Sequence, residues 1–516
     1  MKIVVTATSP TIFDADIRKQ MAMRVFVPRC LANHLFIPLG ILVVGLGILR
    51  RFLFGMDSPL WLDETFTGAI AIQPTFRGLI EDCLADVPGP IYYFLMWVWE
   101  KLFGASNLSL RTPSLLFSIA APILILFKGH PDKYTRLLWA GLVALWIPGF
   151  AYASEARPYS LLFLLGTIQV VLFMGLLSTP TRRNAILWCG ISSLLVLTHY
   201  HSALLTAFQG LAYLAVRRKE ALRAWPAALL FVPAFVWMIF HLPLVLRFST
   251  PEVAWQKLLT PASLVDLPSQ FIGAARYSLP LFAVIVAVTL WEVWRRWRDR
   301  SGWPVGPSEA LAVGASLCAV AVVIALGFVR PNFTFRYLLP FMPGVLLGVA
   351  ILTRVAAERV PLVPWLVLGG TILLAAGEAR IKSGGEDWKA GFSWERVAED
   401  LAAGGAKRLI FSWDNPTAAI LAPSLLSRVG SFFFDRAGRT IPARSVELSS
   451  QARGDPNRRL LAAAHRPGDA VLWVFDLNVP RTAAFRYPPA LGTLDPGLKC
   501  RRYSAAIFAC LRADAR

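Results

Sequence analysis

The chain has 516 residues, of which 56% are hydrophobic and 16% charged, whereas soluble domains carry about a quarter charged residues. That balance excludes an ordinary soluble enzyme. The net charge of +20 is carried by short Lys and Arg clusters between apolar blocks. It reads as the positive-inside distribution of a membrane protein and not as a nucleic-acid-binding surface.

Residues 1–34 are mixed and polar and lack the pattern of a cleaved signal peptide, so residues 35–49 read as an uncleaved anchor. Lys2, Arg18, Lys19, Arg24 and Arg29 place the N-terminus in the cytoplasm. The first outer loop, about 50–108, then brings Asp57, Asp63, Glu64, Glu81, Asp82 and Asp86 to the opposite side. Arg50 and Arg51 break this rule and are expected to snorkel to the interface. Residues 90–104 are short for a crossing and carry Glu100 and Lys101. Read as a re-entrant or interfacial helix, they leave every later cation cluster on the cytoplasmic side.

Further spans are predicted at 109–127, 134–153, 158–178 and 185–198, in the segment ending at Arg217, and at 224–246, 277–294, 310–329, 338–353 and 361–377. With the anchor, these predict a polytopic α-helical membrane domain (35–379) of about 11 transmembrane helices. From residue 380 onward Asp, Arg, Gly and Pro become frequent. Helix-like 394–401 and 458–464 alternate with strand-like 408–413 and 470–475, which predicts a soluble extracytoplasmic α/β domain over 380–516. The six cysteines show no metal-binding spacing. Cys500 and Cys510 either face each other on neighbouring strands as a disulfide, which an extracytoplasmic domain permits, or stand as two thiols.

Four groups of polar residues fall on the outer side. Asp63 and Glu64, adjacent carboxylates beside aromatics, suit a general base or a metal ligand; the alternative is an acidic pair capping an interfacial helix. Glu155, Arg157 and Tyr159 stand at the mouth of a span, where ionisable groups are functional candidates, or Glu155 and Arg157 form a structural ion pair. His199 and His201 suit a metal or a phosphate, or belong to an interfacial aromatic belt. Arg336, beside Tyr337, offers a fork for phosphate, or anchors its helix.

These residues occur in ordered short motifs. Trp61-Leu62-Asp63-Glu64 is followed by Asp86-Val87-Pro88-Gly89-Pro90-Ile91-Tyr92-Tyr93 and Leu110-Arg111-Thr112-Pro113-Ser114. Ser154-Glu155-Ala156-Arg157-Pro158-Tyr159, His199-Tyr200-His201 and Arg336-Tyr337-Leu338-Leu339-Pro340 come after. Over roughly 35–354 the set resembles the GT-C superfamily membrane glycosyltransferases related to protein O-mannosyltransferases and lipid A aminoarabinose transferase (glycosyltransferase family 39-like). Glu386-Asp387-Trp388-Lys389 extends it into the tail. One departure is Val87-Pro88-Gly89-Pro90, where these relatives carry His-Pro-Pro or Lys-Pro-Pro.

The resemblance implies a GT-C fold in a bacterial inner (plasma) membrane and a polyprenyl-phosphate-linked sugar donor. It also implies inverting transfer to an acceptor hydroxyl at the periplasmic face. Asp63 is then the base, assisted by Glu64. Arg336 holds the leaving phosphate with Tyr337, His199, His201 or Arg157, while Tyr92, Tyr93, Glu155, Arg157 and Tyr159 shape the acceptor side. A divalent cation on Asp63 and Glu155 stays open, as does the tail's role as lid, acceptor-recognition domain or partner platform. The rival readings are a lipid or glycolipid flippase and a non-catalytic scaffold. A flippase is expected to carry its ionisable groups near the membrane midplane, whereas these collect at one face.

Overall fold

A computed structural model of the chain describes residues 36–53, 55–56, 58–264, 271, 278–299, 304–383, 389–448, 455–475 and 491–513. The N-terminal cations, Cys30, Asp57 and residues 386–388 lie outside them.

Helices carry the chain to residue 383. They begin with α1 (Phe36–Phe52), α2 (Leu62–Ala71), α3 (Phe76–Ala85), α4 (Pro90–Phe103) and α5 (Asn107–Leu124). Next come α6 (Lys133–Leu145), α7 (Ile147–Ala153), α8 (Tyr159–Ser178), α9 (Arg182–Thr198), α10 (Ser202–Val216) and α11 (Val232–Phe248). The last four are α12 (Ser278–Arg298), α13 (Pro307–Val329), α14 (Met342–Ala357) and α15 (Val363–Ser383).

By length and composition four segments among the described residues cross a bilayer: Asn107–Gly129, Tyr159–Ser178, Trp225–Phe248 and Pro307–Val329. The pair α6 and α7, bent by 57°, makes a fifth when taken as one span, and α10, α14 and the first part of α15 are shorter apolar helices. The protein is therefore a multi-pass membrane protein. Helix α4, 14 residues opened by Pro90 and closed by Gly104 at φ +73°, reaches about 21 Å at 1.5 Å per residue. That is shorter than a bilayer core of about 30 Å.

The bend between α6 and α7 explains Arg51. Pro148 in the first turn of α7 has no N–H with which to continue the ladder, so carbonyls at the end of α6 lose their helical partners. Arg51, fully buried, donates from Nη2 to the Val143 oxygen at 3.0 Å, from Nη1 to the Ala144 oxygen and from Nε to Ser118 Oγ at 2.7 Å. Arg50 donates to the Ala375 oxygen, and both guanidiniums lie over the Phe150 ring. The expected snorkelling of Arg51 is thus corrected: the Val143 and Ala144 carbonyls and the Ser118 hydroxyl hold it inside the bundle.

The C-terminal part carries α16 (Glu395–Ala403), α17 (Pro423–Arg436) and α18 (Pro456–Ala463) around one sheet. Its strands are β1 (Arg408–Trp413), β2 (Ala443–Ser445), β3 (Asp469–Val474), β4 (Leu498–Arg502) and β5 (Ile507–Arg512), in the order β2-β1-β3-β5-β4. β2, β1 and β3 run parallel, while β5 and β4 are antiparallel. Cys500 faces Cys510 across β4 and β5, and the two form a disulfide.

Strand alternation separates two cores. Ile410, Val471, Trp473, Phe508 and Cys510 pack with Leu460 of α18. Leu409, Phe411, Leu472 and Val474 face the other way, in a core continuous with Phe66, Ala69 and Ile70 of α2. Helix α17 sits between them. A Cβ at Gly68 would fall 2.5 Å from the Phe432 ring, and one at Gly430 2.5 Å from the Phe411 ring, so glycine lets α2, α17 and β1 approach. Polar pins complete the docking: Arg428 pairs with Asp82, and Asn107 and Arg436 both bond Glu395.

Candidate functional site

The loop before α2 is fixed by one arginine. Arg111 of α5, fully buried, donates from Nε to Glu64 Oε1 at 2.8 Å and from Nη2 to Oε2 at 2.6 Å. Its remaining hydrogens reach the Met56 oxygen at 3.1 Å, the Pro59 oxygen at 3.1 Å and the Ser58 oxygen. Glu64 Oε1 also accepts from the Ala156 N–H at 2.8 Å. A buried carboxylate is stable only when paired and hydrogen-bonded, and Glu64 is both. It joins α5, the loop into α2 and the turn between α7 and α8, leaving its neighbour Asp63 outside this cluster.

The turn at 154–158 carries Glu155 and Arg157. Arg157 Nη1 donates to the Asp63 backbone oxygen at 3.1 Å and to the Tyr93 hydroxyl at 3.2 Å, and Tyr93 donates to Asp86. Tyr92 bonds Ser114 at 3.1 Å, and Ser114 Oγ donates to the Arg157 oxygen at 3.2 Å. Burial pulls the Arg157 guanidinium down, but Tyr93, Tyr159 and Asp63 raise it well above its ordinary value, so it stays charged. Its Nε is buried and has no hydrogen-bond partner among the described residues. The Glu155 carboxyl is pushed up to about 7 by burial; Lys389 and Arg336 oppose the shift, and Glu64 and Asp63 add to it.

Arg336, in a short 3₁₀ turn before α14, closes the arrangement. Its Nη1 lies 3.0 Å from Asp63 Oδ2, with each side chain about one-fifth exposed, at 20% and 21%. The guanidinium lies over the rings of Trp255 at 5.3 Å and Tyr159 at 5.5 Å, a cation–π seat on two sides. Its Nε, like that of Arg157, is buried without a hydrogen-bond partner among the described residues. Tyr337 accepts from Gln256 at 3.1 Å, and the rings of His199 and His201 pack on it at 4.9 and 4.8 Å. Burial pushes His199 well below its ordinary value, helped by His201, Arg336 and Arg157, and lowers His201 to about 4. Both imidazoles are therefore neutral at neutral pH and offer hydrogen bonds, not charge.

Asp63, Arg157, Tyr159, His199, His201, Arg336 and Tyr337 line one cavity of about 400 Å³. Its apolar side comes from α10 (Ala203, Leu204), α11 (Val245, Leu246, Phe248) and α13 (Leu326). Trp413, Thr417 and Leu421 of the C-terminal part also line it. The Trp413 ring meets Phe66 at 6.0 Å, and Thr417 donates to the Val253 oxygen at 3.0 Å.

Glu64, Tyr92, Tyr93 and Glu155, expected at the reacting centre, do not line the cavity. They are buried behind its wall, where their hydrogen bonds or charge act on residues that do. Arg111, Asp86, Trp255, Asn332, Trp413 and Lys389 were missing from the expected site. Asp86, Arg111 and Lys389 stand in the quoted motifs, whereas Trp255, in a loop between Glu252 and Lys257, and Trp413, at a strand end, carry no local signal.

Among the described residues no three His, Cys, Asp or Glu side chains come together in a group able to hold a metal. Asp63 and Glu155 do not fit one either, since Arg336 bonds the first and attracts the second.

Within Val87-Pro88-Gly89-Pro90 the glycine has a packing reason. A Cβ at Gly89 would lie 1.9 Å from the Leu197 oxygen, at the end of α9 just before His199. Gly89→Ala should cost about 1–3 kcal/mol through overpacking and displace the histidine turn. Thermal unfolding of the purified variant reads the loss, and a wild-type melting temperature would show that the backbones are free to part.

No family model matches the chain, and no curated protein matches it either. Solved structures do. ArnT from Cupriavidus metallidurans bound to undecaprenyl phosphate superposes with TM-score 0.55 at 12% identity, covering 92% of this chain and 99% of that one. The same protein in the apo state gives TM-score 0.49 at 13% identity, with coverage of 92% and 99%. The arabinofuranosyltransferase AftD from Mycobacteria gives TM-score 0.49 at 15% identity, covering 93% of this chain and 40% of that one. The fold is the GT-C fold that the ordered motifs led us to expect.

Proposed function

We propose that the protein is an inverting membrane glycosyltransferase that moves a sugar from a polyprenyl-phosphate donor to an acceptor hydroxyl. The observation that carries this reading is the Asp63–Arg336 pair on the wall of a cavity whose other side is apolar. A second arginine, Arg157, lies beside it with an Nε that has no hydrogen-bond partner among the described residues. Phosphate prefers guanidinium forks, and two converging on one cavity suit a phosphodiester whose chain lies against Ala203, Leu204, Val245, Leu246, Phe248 and Leu326. That ArnT was solved with undecaprenyl phosphate supports the same donor class.

The chemistry follows from the pair. Unliganded, Arg336 holds Asp63. A donor phosphate competes for that guanidinium and frees the carboxylate, so the base is released when the donor arrives. Asp63 then takes the proton from the acceptor hydroxyl as its oxygen bonds to the anomeric carbon. The carbon–oxygen bond to phosphate breaks on the opposite face, inverting the centre. The leaving phosphate gathers negative charge between Arg336 and Arg157, where fixed cations help most. Neutral His199 and the Tyr337 hydroxyl add hydrogen bonds.

About 11 spans, a cytoplasmic N-terminal segment (1–34), a membrane domain (35–379) and a periplasmic C-terminal domain (380–516) in a bacterial inner membrane belong to the same proposal. The Cys500–Cys510 disulfide supports that orientation, because disulfides persist in oxidising compartments.

The test is a panel of radiolabelled polyprenyl-phosphate sugars incubated with membranes that carry or lack the protein. Protein-dependent transfer or slow hydrolysis of one donor is expected, and no turnover across the panel would sink the reading.

Glu155 gives the pH dependence. Its carboxyl ionises at about pH 7 and adds a negative charge near Arg336. Affinity for undecaprenyl-phosphate glucose, a diester of constant charge, should therefore weaken as pH rises through that point. Glu155→Gln should flatten the profile and His201→Asn should not, since His201 titrates at about 4. Binding isotherms between pH 5.5 and 8.5 decide it.

A further inference from the structure

We propose that His241 is a positioning residue of the donor site: it ties α11, which supplies much of the cavity's apolar wall, to the Asp86 segment and to the turn between α9 and α10. The proposal deepens the function above and rests on it only for the effect on the donor.

Helix α11 meets the rest of the protein thinly. Ala234 and His241 are its buried residues, while Phe235, Val236, Ile239, Phe240 and Leu242 stand exposed. His241 is fully shielded, at 0% exposure. A buried imidazole needs a partner for each ring nitrogen, and His241 has both.

Those partners fix its tautomer. Nε2 lies 2.7 Å from the Asp86 backbone oxygen, which can only accept, so Nε2 carries the proton. Nδ1 must then accept, and the Tyr200 hydroxyl donates to it. The Tyr200 oxygen accepts in turn from Trp237 Nε1 at 3.0 Å. One directed chain therefore runs from Trp237 through Tyr200 and His241 to Asp86, with two of its four members on α11.

What the chain holds is the cavity. Asp86, Val87, Pro88 and Tyr200 line it. The Asp86 carboxylate accepts from the Tyr93 hydroxyl, which accepts from Arg157. On α11, Val245 and Phe248 follow His241 by one and two turns, hence on the same face, and both line the cavity. Pro243 stands between them and His241. Lacking an N–H, it leaves the Ile239 carbonyl out of the helical ladder, so the ladder alone holds the last turns of α11 less firmly. His241, just before the proline, sets the rotation at which Val245 and Phe248 meet the donor chain.

The experiment compares His241→Phe with His241→Gln in the full chain in nanodiscs. Phenylalanine keeps a flat ring and loses both bonds, whereas the glutamine amide keeps an N–H for the Asp86 oxygen. With the donor that the panel identifies, His241→Phe should raise KM about tenfold and leave kcat within about twofold. His241→Gln should restore most of the affinity. A loss confined to kcat, or glutamine no better than phenylalanine, would overturn the proposal. A second measurement uses no donor. In a Cys30→Ser/Cys318→Ser background, Val245→Cys should react with a membrane-impermeant thiol reagent entering the cavity, and adding His241→Phe should slow that reaction several-fold. An unchanged rate, or no labelling to begin with, would overturn the proposal even where transfer falls. Should His241→Phe fail to fold, Tyr200→Phe, which removes the hydroxyl from the chain, takes its place in both measurements. If the wild type turns over no polyprenyl donor, the glycosyltransferase reading fails, and the labelling rates alone decide for or against His241.

Discussion

Asp63→Asn should abolish detectable sugar transfer, a loss of about a thousandfold, within the 10²–10⁴ range that a positioned general base contributes. Asparagine keeps the shape and an oxygen to accept from Arg336, whose Nη1 lies 3.0 Å from Asp63 Oδ2, so folding should be retained. What disappears is the ability to take a proton. Arg336→Ala should lose about 10²–10³ through the other half of the reaction, because the leaving phosphate no longer meets a fixed cation. Arg336→Lys should recover little of it. An ammonium has neither the fork nor the flat face that Arg336 presents between Trp255 and Tyr159. Initial rates of transfer from the donor identified in the panel, with melting temperatures alongside, give the answer. Full activity in Asp63→Asn would remove the base from the mechanism and favour a transport or scaffold role.

How much of this was legible in the sequence depended on whether the signal was local. The long apolar helices were, because each is a run of apolar residues with few charges, and so were the strands at 408–413 and 470–475, each a short apolar run. Helix α17, β2, β4 and β5 were not read, although the Cys500–Cys510 pairing anticipated neighbouring strands. α17 carries Arg428 and Arg436 for contacts with Asp82 and Glu395, so its pattern answers a docking surface as well as a core. The candidate site was legible as four motifs on one side, and seven of their residues line one cavity. The division of labour inside each motif was not. Asp63 and Glu64 are adjacent and chemically alike, yet a helix turns side chains by about 100° per residue, so one faces the cavity and the other the interior. Only Arg111, 47 residues away, settles which is which. Trp413 enters the cavity through a contact with Phe66 that no local pattern announces.

That same division makes Glu64 and Arg111 a sensitive structural pair, the one ion pair among the described residues with both side chains at 0% exposure. Both side chains are fully shielded, at 0% exposure, so removing either leaves an uncompensated buried charge, at a cost of about 3–5 kcal/mol. Glu64→Gln strands the Arg111 guanidinium and weakens the bond to the Ala156 N–H. Arg111→Met strands Glu64 and also frees the carbonyls of Met56, Ser58 and Pro59. The arginine change should therefore be the worse of the two. The double variant Glu64→Gln/Arg111→Met should recover part of the loss, because paired neutral groups avoid the stranded charge while the loop carbonyls stay unmet. Activity should follow a different order. Glu64 touches no part of the cavity, so Glu64→Gln protein that remains folded at low temperature should keep measurable transfer, unlike Asp63→Asn. Thermal unfolding and transfer rates on the same preparations separate the two roles. If folded Glu64→Gln were as inactive as Asp63→Asn, Glu64 would belong to the chemistry and not to the scaffold that aims it.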